Sequence, residues 1–218
     1  MCYKNEIKVI RVEKGEEKAT VKMAVAALKL GKIVVCPTDT IYGFLADATN
    51  EKAIDKIFKI KKRPAKKVFP VFVKDLKMAD GLAEINQKQE EFLKKYWSGK
   101  ITVVLKRKGR LKLYGVYKET IALRIPKHQL LQLIINQLNR PIVQTSVNLS
   151  GQPPINNPRE ILRQFSYKKY APEVVLDSGP IKNGIQSTLV DLTKDNIKIL
   201  REGAVSIRIN QRWPRKNL

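Results

Sequence analysis

The stretch VCPTDTIYGF, residues 35–44, is where the chain first shows its organisation. The residues leading into it, KLGKIVV (29–35), read as a helix end, a turn glycine and a buried strand. That strand exits into Pro37, Thr38, Asp39 and Thr40, followed by Tyr42 and Gly43, far more polar chemistry than a plain turn needs. Such a loop either carries function or satisfies its own backbone with Thr and Asp oxygens.

Outward from this loop the pattern keeps alternating. Residues 6–12 alternate as a strand, and 17–30 carry apolar positions at helical spacing, with Gly31 as the C-cap candidate. Residues 50–62 predict a second amphipathic helix, N-capped by Asn50. KVFPVFV (67–73) reads as a strand and 86–97 as a helix; 100–108 and 119–126 are strands. A helix over 128–139, starting at His128, ends near Pro141 and is followed by the strand PIVQTS (141–146). PREILRQF (158–165) is a short helix, and 173–179, 187–193 and 197–203 are strands. Interleaved helices and strands without repeats predict an α/β fold: a single domain with a twisted, mixed parallel and antiparallel open sheet flanked by helices. The expected division is a domain over 5–207 and a basic tail over 208–218.

Composition narrows the function classes. At 218 residues, 43% of them apolar, the chain can build one real core. No apolar run approaches the roughly 20 residues that span a bilayer, and the start lacks the apolar core of a secretory signal, so a cytoplasmic protein without membrane contact is expected. Cys2 and Cys36 are too few for a disulfide framework, and one His leaves little for a zinc cage. The 43 Lys and Arg against 20 Asp and Glu give a net charge of +23, which favours polyanions such as RNA or nucleotide phosphates.

Several short stretches carry candidate chemistry. KIKKRPAKK (59–67) sets Lys61 and Arg63 where they could converge on phosphate oxygens, although a solvated basic helix end reads the same way. QTSVNLSGQPP (144–154) packs Thr145, Ser146, Asn148 and Ser150 ahead of Gly151, short donors and acceptors on a tight turn. Arg124, among apolar neighbours in ALRIP (122–126), needs a partner if buried, and a carboxylate ligand is the expectation. Ser187 and Thr188 stand at the start of another strand. Cys36 reads as a buried structural thiol, and Tyr96 and Trp97 as packing.

Taken in order, PTDTIYG, KKRP, TIALRIP, TSVNLSG, STLVDL and LREG resemble the YrdC-like family of threonylcarbamoyl-AMP synthases, from about the first helix to residue 203. The resemblance implies a nucleotidyltransferase that joins L-threonine, bicarbonate and ATP into threonylcarbamoyl-AMP and releases pyrophosphate. Its product feeds threonylcarbamoyladenosine formation in tRNA, through separate transferase machinery. By resemblance Thr38, Arg124, Ser146 and Ser187 would bind L-threonine. Lys61, Arg63, Thr120, Asn148, Asn156 and Arg201 would bind ATP, with Lys61 and Arg63 catalytic and Tyr42 at the rim. Mg²⁺ would ride on the nucleotide phosphates rather than on a protein ligand cluster. Against the family pattern, Val147 replaces a small Ala, Lys62 replaces a frequent Gly, Val68 and Phe69-Pro70 replace Pro-Leu-Ile, and Phe72 stands where many members have a His. The competing expectation is an RNA-binding or ribosome-associated module that uses the basic clusters at 59–67 and 106–112 without catalysis. The chain has no aromatic strand motif of the kind that stacks RNA bases in an RRM.

Overall fold

Period-2 alternation in the buried strands sorts their side chains onto two faces, and each face has its own helices. The computed structural model describes residues 6–13 and 15–207. Among the described residues ten strands run in chain order as β1 (Lys8–Arg11), β2 (Val34–Cys36), β3 (Gly43–Asp47), β4 (Val71–Phe72), β5 (Ile101–Lys106), β6 (Thr120–Arg124), β7 (Ile142–Ser146), β8 (Val174–Asp177), β9 (Thr188–Asp191) and β10 (Lys198–Arg201). Six helices accompany them: α1 (Glu17–Lys29), α2 (Glu51–Lys61), α3 (Leu76–Leu82), α4 (Gln87–Tyr96), α5 (Gln129–Leu138) and α6 (Pro158–Phe165). The strands form one sheet in the order β1-β8-β2-β3-β7-β4-β6-β5-β9-β10. β1–β8, β8–β2, β4–β6 and β5–β9 are parallel and the other neighbours antiparallel, so the sheet is mixed, as expected.

On one face Val34, Cys36, Leu45, Phe72, Ile142 and Leu176 pack under α1 and α5. On the other, Val35, Phe44, Ala46, Val71, Val143 and Val175 pack with residues of α2, α3, α4 and α6. Each fully buried Val, Leu, Ile or Phe contributes about 1.5–3 kcal/mol. Polar residues set the helix starts: Asn50 Oδ1 accepts from Ala53 N at 3.1 Å, and Asn86 forms a reciprocal capping box with Gln89. Past α1, Gly31 takes the left-handed conformation at φ +71°, which lets the chain turn directly into β2. Burial drives the Cys36 thiol pKa upward, as befits an inert core group.

Three elements differ from the sequence reading. β3 is buried at all five positions, so it has no alternation to betray it. α3 is a seven-residue helix whose N-cap, Asp75, accepts from Met78 N at 2.7 Å. The strand expected over 67–73 is ladder-paired only at Val71 and Phe72, after Pro70, which has no N–H to give. The tail over 208–218 and Cys2 lie outside the described residues.

Candidate active site

Along β7 the face that packs under α1 and α5 changes character, from Ile142 in the core to Gln144 and Ser146. On β6 the same happens at Arg124, which stands opposite Phe72 in the β4–β6 ladder. Here the sheet opens into a cavity of about 250 Å³. Arg63, Arg124 and Arg201 reach it, together with Ser146, Asn148 and Ser187. Thr40, Gln144, Thr145 and Gln186 supply further polar groups, and Ile41 and Pro70 the apolar ones. Among the described residues no carboxylate lines it. A larger cleft elsewhere, beside Lys88, Lys106 and Lys194, is walled mainly by surface charges of both signs.

Arg124 is 2% exposed and its guanidinium is oriented from three sides. Nε donates to Gly99 O at 2.9 Å, Nη1 to Thr40 Oγ1 at 3.3 Å, and Nη2 to Asp39 Oδ1 at 2.6 Å. Asp39 also accepts from Lys127 N at 3.2 Å, and the Phe72 ring lies 5.4 Å from the guanidinium carbon. Burial lowers the Arg124 pKa, Asp39 opposes the shift, and Arg201 adds to it by repulsion. An anion in the cavity would relieve that repulsion.

Across the cavity Arg63 is fixed by its own segment. Its Nε donates to Lys67 O at 2.7 Å and its Nη2 to Val68 O at 2.9 Å, with the Phe69 ring 5.0 Å away. Arg201 donates from Nε and Nη2 to Ser187 O at 3.2 and 2.8 Å. A register shift between Ile199 and Arg201 re-aims that end of β10. Gly203 permits the close approach: a Cβ there would stand 2.4 Å from Gln186 O. Ser187 Oγ pairs with Thr102 Oγ1 at 2.8 Å. Burial also lowers the pKa values of Arg63 and Arg201.

The remaining candidates lie behind this wall. Lys61 is buried, and all its donors go to Ser146 and Asn148. The Thr38 hydroxyl donates to Ile41 O at 2.7 Å and accepts from Thr40 N and Ile41 N, so it caps its own loop. In that loop it is Thr40 that lines the cavity, a residue to which the sequence reading assigns no role. Asn156 Oδ1 accepts from Tyr42 N at 3.0 Å. Tyr42 is fully buried, not at a rim, and its hydroxyl donates to Gly179 O at 2.8 Å. Thr120 opens β6 opposite Lys106, four residues and about 13 Å along the strand from Arg124. His128 caps α5, accepting from Leu131 N at 3.5 Å. Asp39 as the partner of Arg124 is the main residue sequence reasoning missed; the nearest signal was its place in the over-polar loop.

The chain has relatives among known proteins. Residues 26–203 match the family profile Sua5_yciO_yrdC, described as telomere recombination. A threonylcarbamoyl-AMP synthase of Pyrococcus abyssi is 32% identical over 203 residues, 91% of this chain and 58% of that protein. A Methanocaldococcus jannaschii protein whose name carries the same activity is 32% identical over 210 residues, 95% of this chain and 98% of its own length. The crystal structure of P. abyssi Sua5 complexed with L-threonine superposes with a TM-score of 0.80 at 30% identity, covering 90% of this chain and 57% of that one. The chain therefore spans little more than half of the P. abyssi protein.

Proposed function

The chain belongs to the Sua5/YciO/YrdC family, and from that premise we propose that it makes threonylcarbamoyl-AMP from L-threonine, bicarbonate and ATP, for threonylcarbamoyladenosine formation in tRNA. The observation that carries the reading is the convergence of Arg63, Arg124 and Arg201 on one small cavity that no carboxylate lines among the described residues. Three fixed guanidiniums suit two anionic substrates, an amino-acid carboxylate and a polyphosphate. Arg124 has acceptors for three of its five N–H groups among the described residues, which leaves two for a bidentate carboxylate.

The chemistry asks little more of the protein. The threonine amine and bicarbonate condense to a carbamate with loss of water. A carbamate oxygen then attacks the ATP α-phosphorus, and the bond to the β-phosphate breaks to release pyrophosphate. The attacking oxygen is already anionic, so no protein nucleophile is demanded. Arg124, Ser146 and Ser187 would hold the amino acid, while Arg63, Asn148 and Arg201 would face the nucleotide. Positioning and neutralisation of charge then lower the barrier. Among the described residues no group of three or more His, Cys, Asp or Glu could hold a metal, so Mg²⁺ would be held by the nucleotide phosphates and add to that neutralisation.

The RNA-binding alternative is less favoured, because exposed lysines suffice for a polyanion and explain none of the buried Arg124–Asp39 arrangement. The test is incubation with ATP, Mg²⁺, bicarbonate and L-threonine. The expected result is pyrophosphate release that requires threonine. Release independent of threonine, or tight RNA binding without release, would overturn the reading.

A further inference from the structure

α2 ends in a buried cation, Lys61, that is not among the residues lining the cavity. Lys61 is 1% exposed, and its Nζ donates to Ser146 O at 2.6 Å, Asn148 O at 3.1 Å and Asn148 Oδ1 at 2.6 Å. An ammonium has three donors and no acceptor, so this set is complete. The main chain makes the same connection: Ser150 N donates to Lys61 O at 2.8 Å. Asn148 Oδ1 also accepts from Ser146 Oγ at 2.7 Å, and Asn148 Nδ2 donates to Gln152 O. Ser146 and Asn148 line the cavity, whereas Lys61 stands behind them.

We infer that Lys61 is a positioning residue, a three-point clasp that holds residues 146–150 in the shape that presents Ser146 and Asn148 to the bound nucleotide. The loop and Arg63, rather than the lysine amine, then meet the phosphates. The identity of the ligand rests on the proposed function; the clasp does not. A lysine suits the task because its compact ammonium turns to serve three diverging acceptors, which a planar guanidinium cannot do. An apolar replacement would take this donor from the main-chain oxygens of Ser146 and Asn148 and leave Asn148 Oδ1 with Ser146 Oγ alone. The groups facing Nζ are those acceptors and the Phe44 ring, 5.7 Å from it, and the charge that bears on it is that of Arg63. Burial, followed by Arg63, draws its pKa down to about 7. An anion that offsets Arg63 therefore favours the charged, clasped form.

The test compares wild type with Lys61→Met. Amide hydrogen exchange at Ser150, Gln152 and Ile155 in the nucleotide-free variant is expected to quicken about tenfold or more, the loss of one charge-assisted hydrogen bond. KM for ATP should rise by a similar factor while kcat stays within a few-fold. Unchanged loop exchange and unchanged KM with a collapsed kcat would overturn the inference, since the amine would then act on the reacting atoms. Should the variant fail to fold, ¹⁵Nζ-lysine NMR of the wild type decides. The Lys61 ammonium should keep its contacts with Ser146 and Asn148 with and without a non-hydrolysable ATP analogue. Transfer of its protons to a phosphate on adding the analogue would overturn the clasp. An analogue that leaves Arg63 and Arg201 unperturbed would count against the nucleotide reading alone, and the nucleotide-free contacts would still report on the clasp.

Discussion

Arg124 at the end of β6 and Lys61 at the end of α2 are both buried beside the same cavity, yet only one has donors to offer it. Arg124 leans on a carboxylate, Asp39, and among the described residues keeps two N–H groups over. Lys61 has no carboxylate among its acceptors and gives every proton to the loop after β7. The contrast teaches that burial and charge do not by themselves mark a ligand-binding cation. What marks it is the donors left after the protein's own acceptors have been served.

The largest effect should come from breaking the Arg124 side. Arg124→Ala leaves Asp39 buried without its cation, which is expected to cost about 3–5 kcal/mol of stability and to raise KM for L-threonine by about a hundredfold or more. Denaturant unfolding and steady-state kinetics measure both. Wild-type threonine kinetics in a folded variant would mean that the carboxylate is held elsewhere. Asp39→Ala should do less. It keeps the cation but removes its orientation, and KM for threonine should rise about tenfold, in line with one charge-assisted hydrogen bond.

The Lys61 side is legible through pH. Its pKa is lowered from 10.5 unfolded to about 7 folded, so between those values the unfolded chain binds more protons. Stability therefore rises with pH from about 7 to 10.5, and the urea midpoint should climb across that window. In Lys61→Met this part of the slope should vanish; an identical slope in both proteins would place the titration on another group. The smallest effect concerns the next residue. Lys62 closes α2 at φ +49°, where the family often has Gly, and Lys62→Gly should gain about 1 kcal/mol in denaturant unfolding without touching Lys61.

Much of the fold was legible because amphipathic helices and apolar strands announce themselves by period, as α1, α2, α5 and β5 to β7 did. β3 escaped because a strand buried on both faces carries no alternation, and α3 because seven residues hold too little pattern. In the site, Arg63, Arg124, Ser146, Asn148, Ser187 and Arg201 were readable as an ordered set of motifs. What each side chain does with its donors was not. The Asp39–Arg124 pair joins residues 85 positions apart, and Lys61 reaches 87 positions to Asn148. Local sequence also cannot tell Thr38, folded into its own loop, from Thr40, which lines the cavity.

The most direct test of the account follows carbon rather than phosphate. The protein is supplied with ATP, Mg²⁺, L-threonine and ¹³C-bicarbonate, and the adenylate formed is weighed by mass spectrometry. The account predicts an AMP adduct that contains threonine and carries the ¹³C label, formed by wild type and lost in Arg124→Ala. Pyrophosphate release that yields only unlabelled AMP would contradict it.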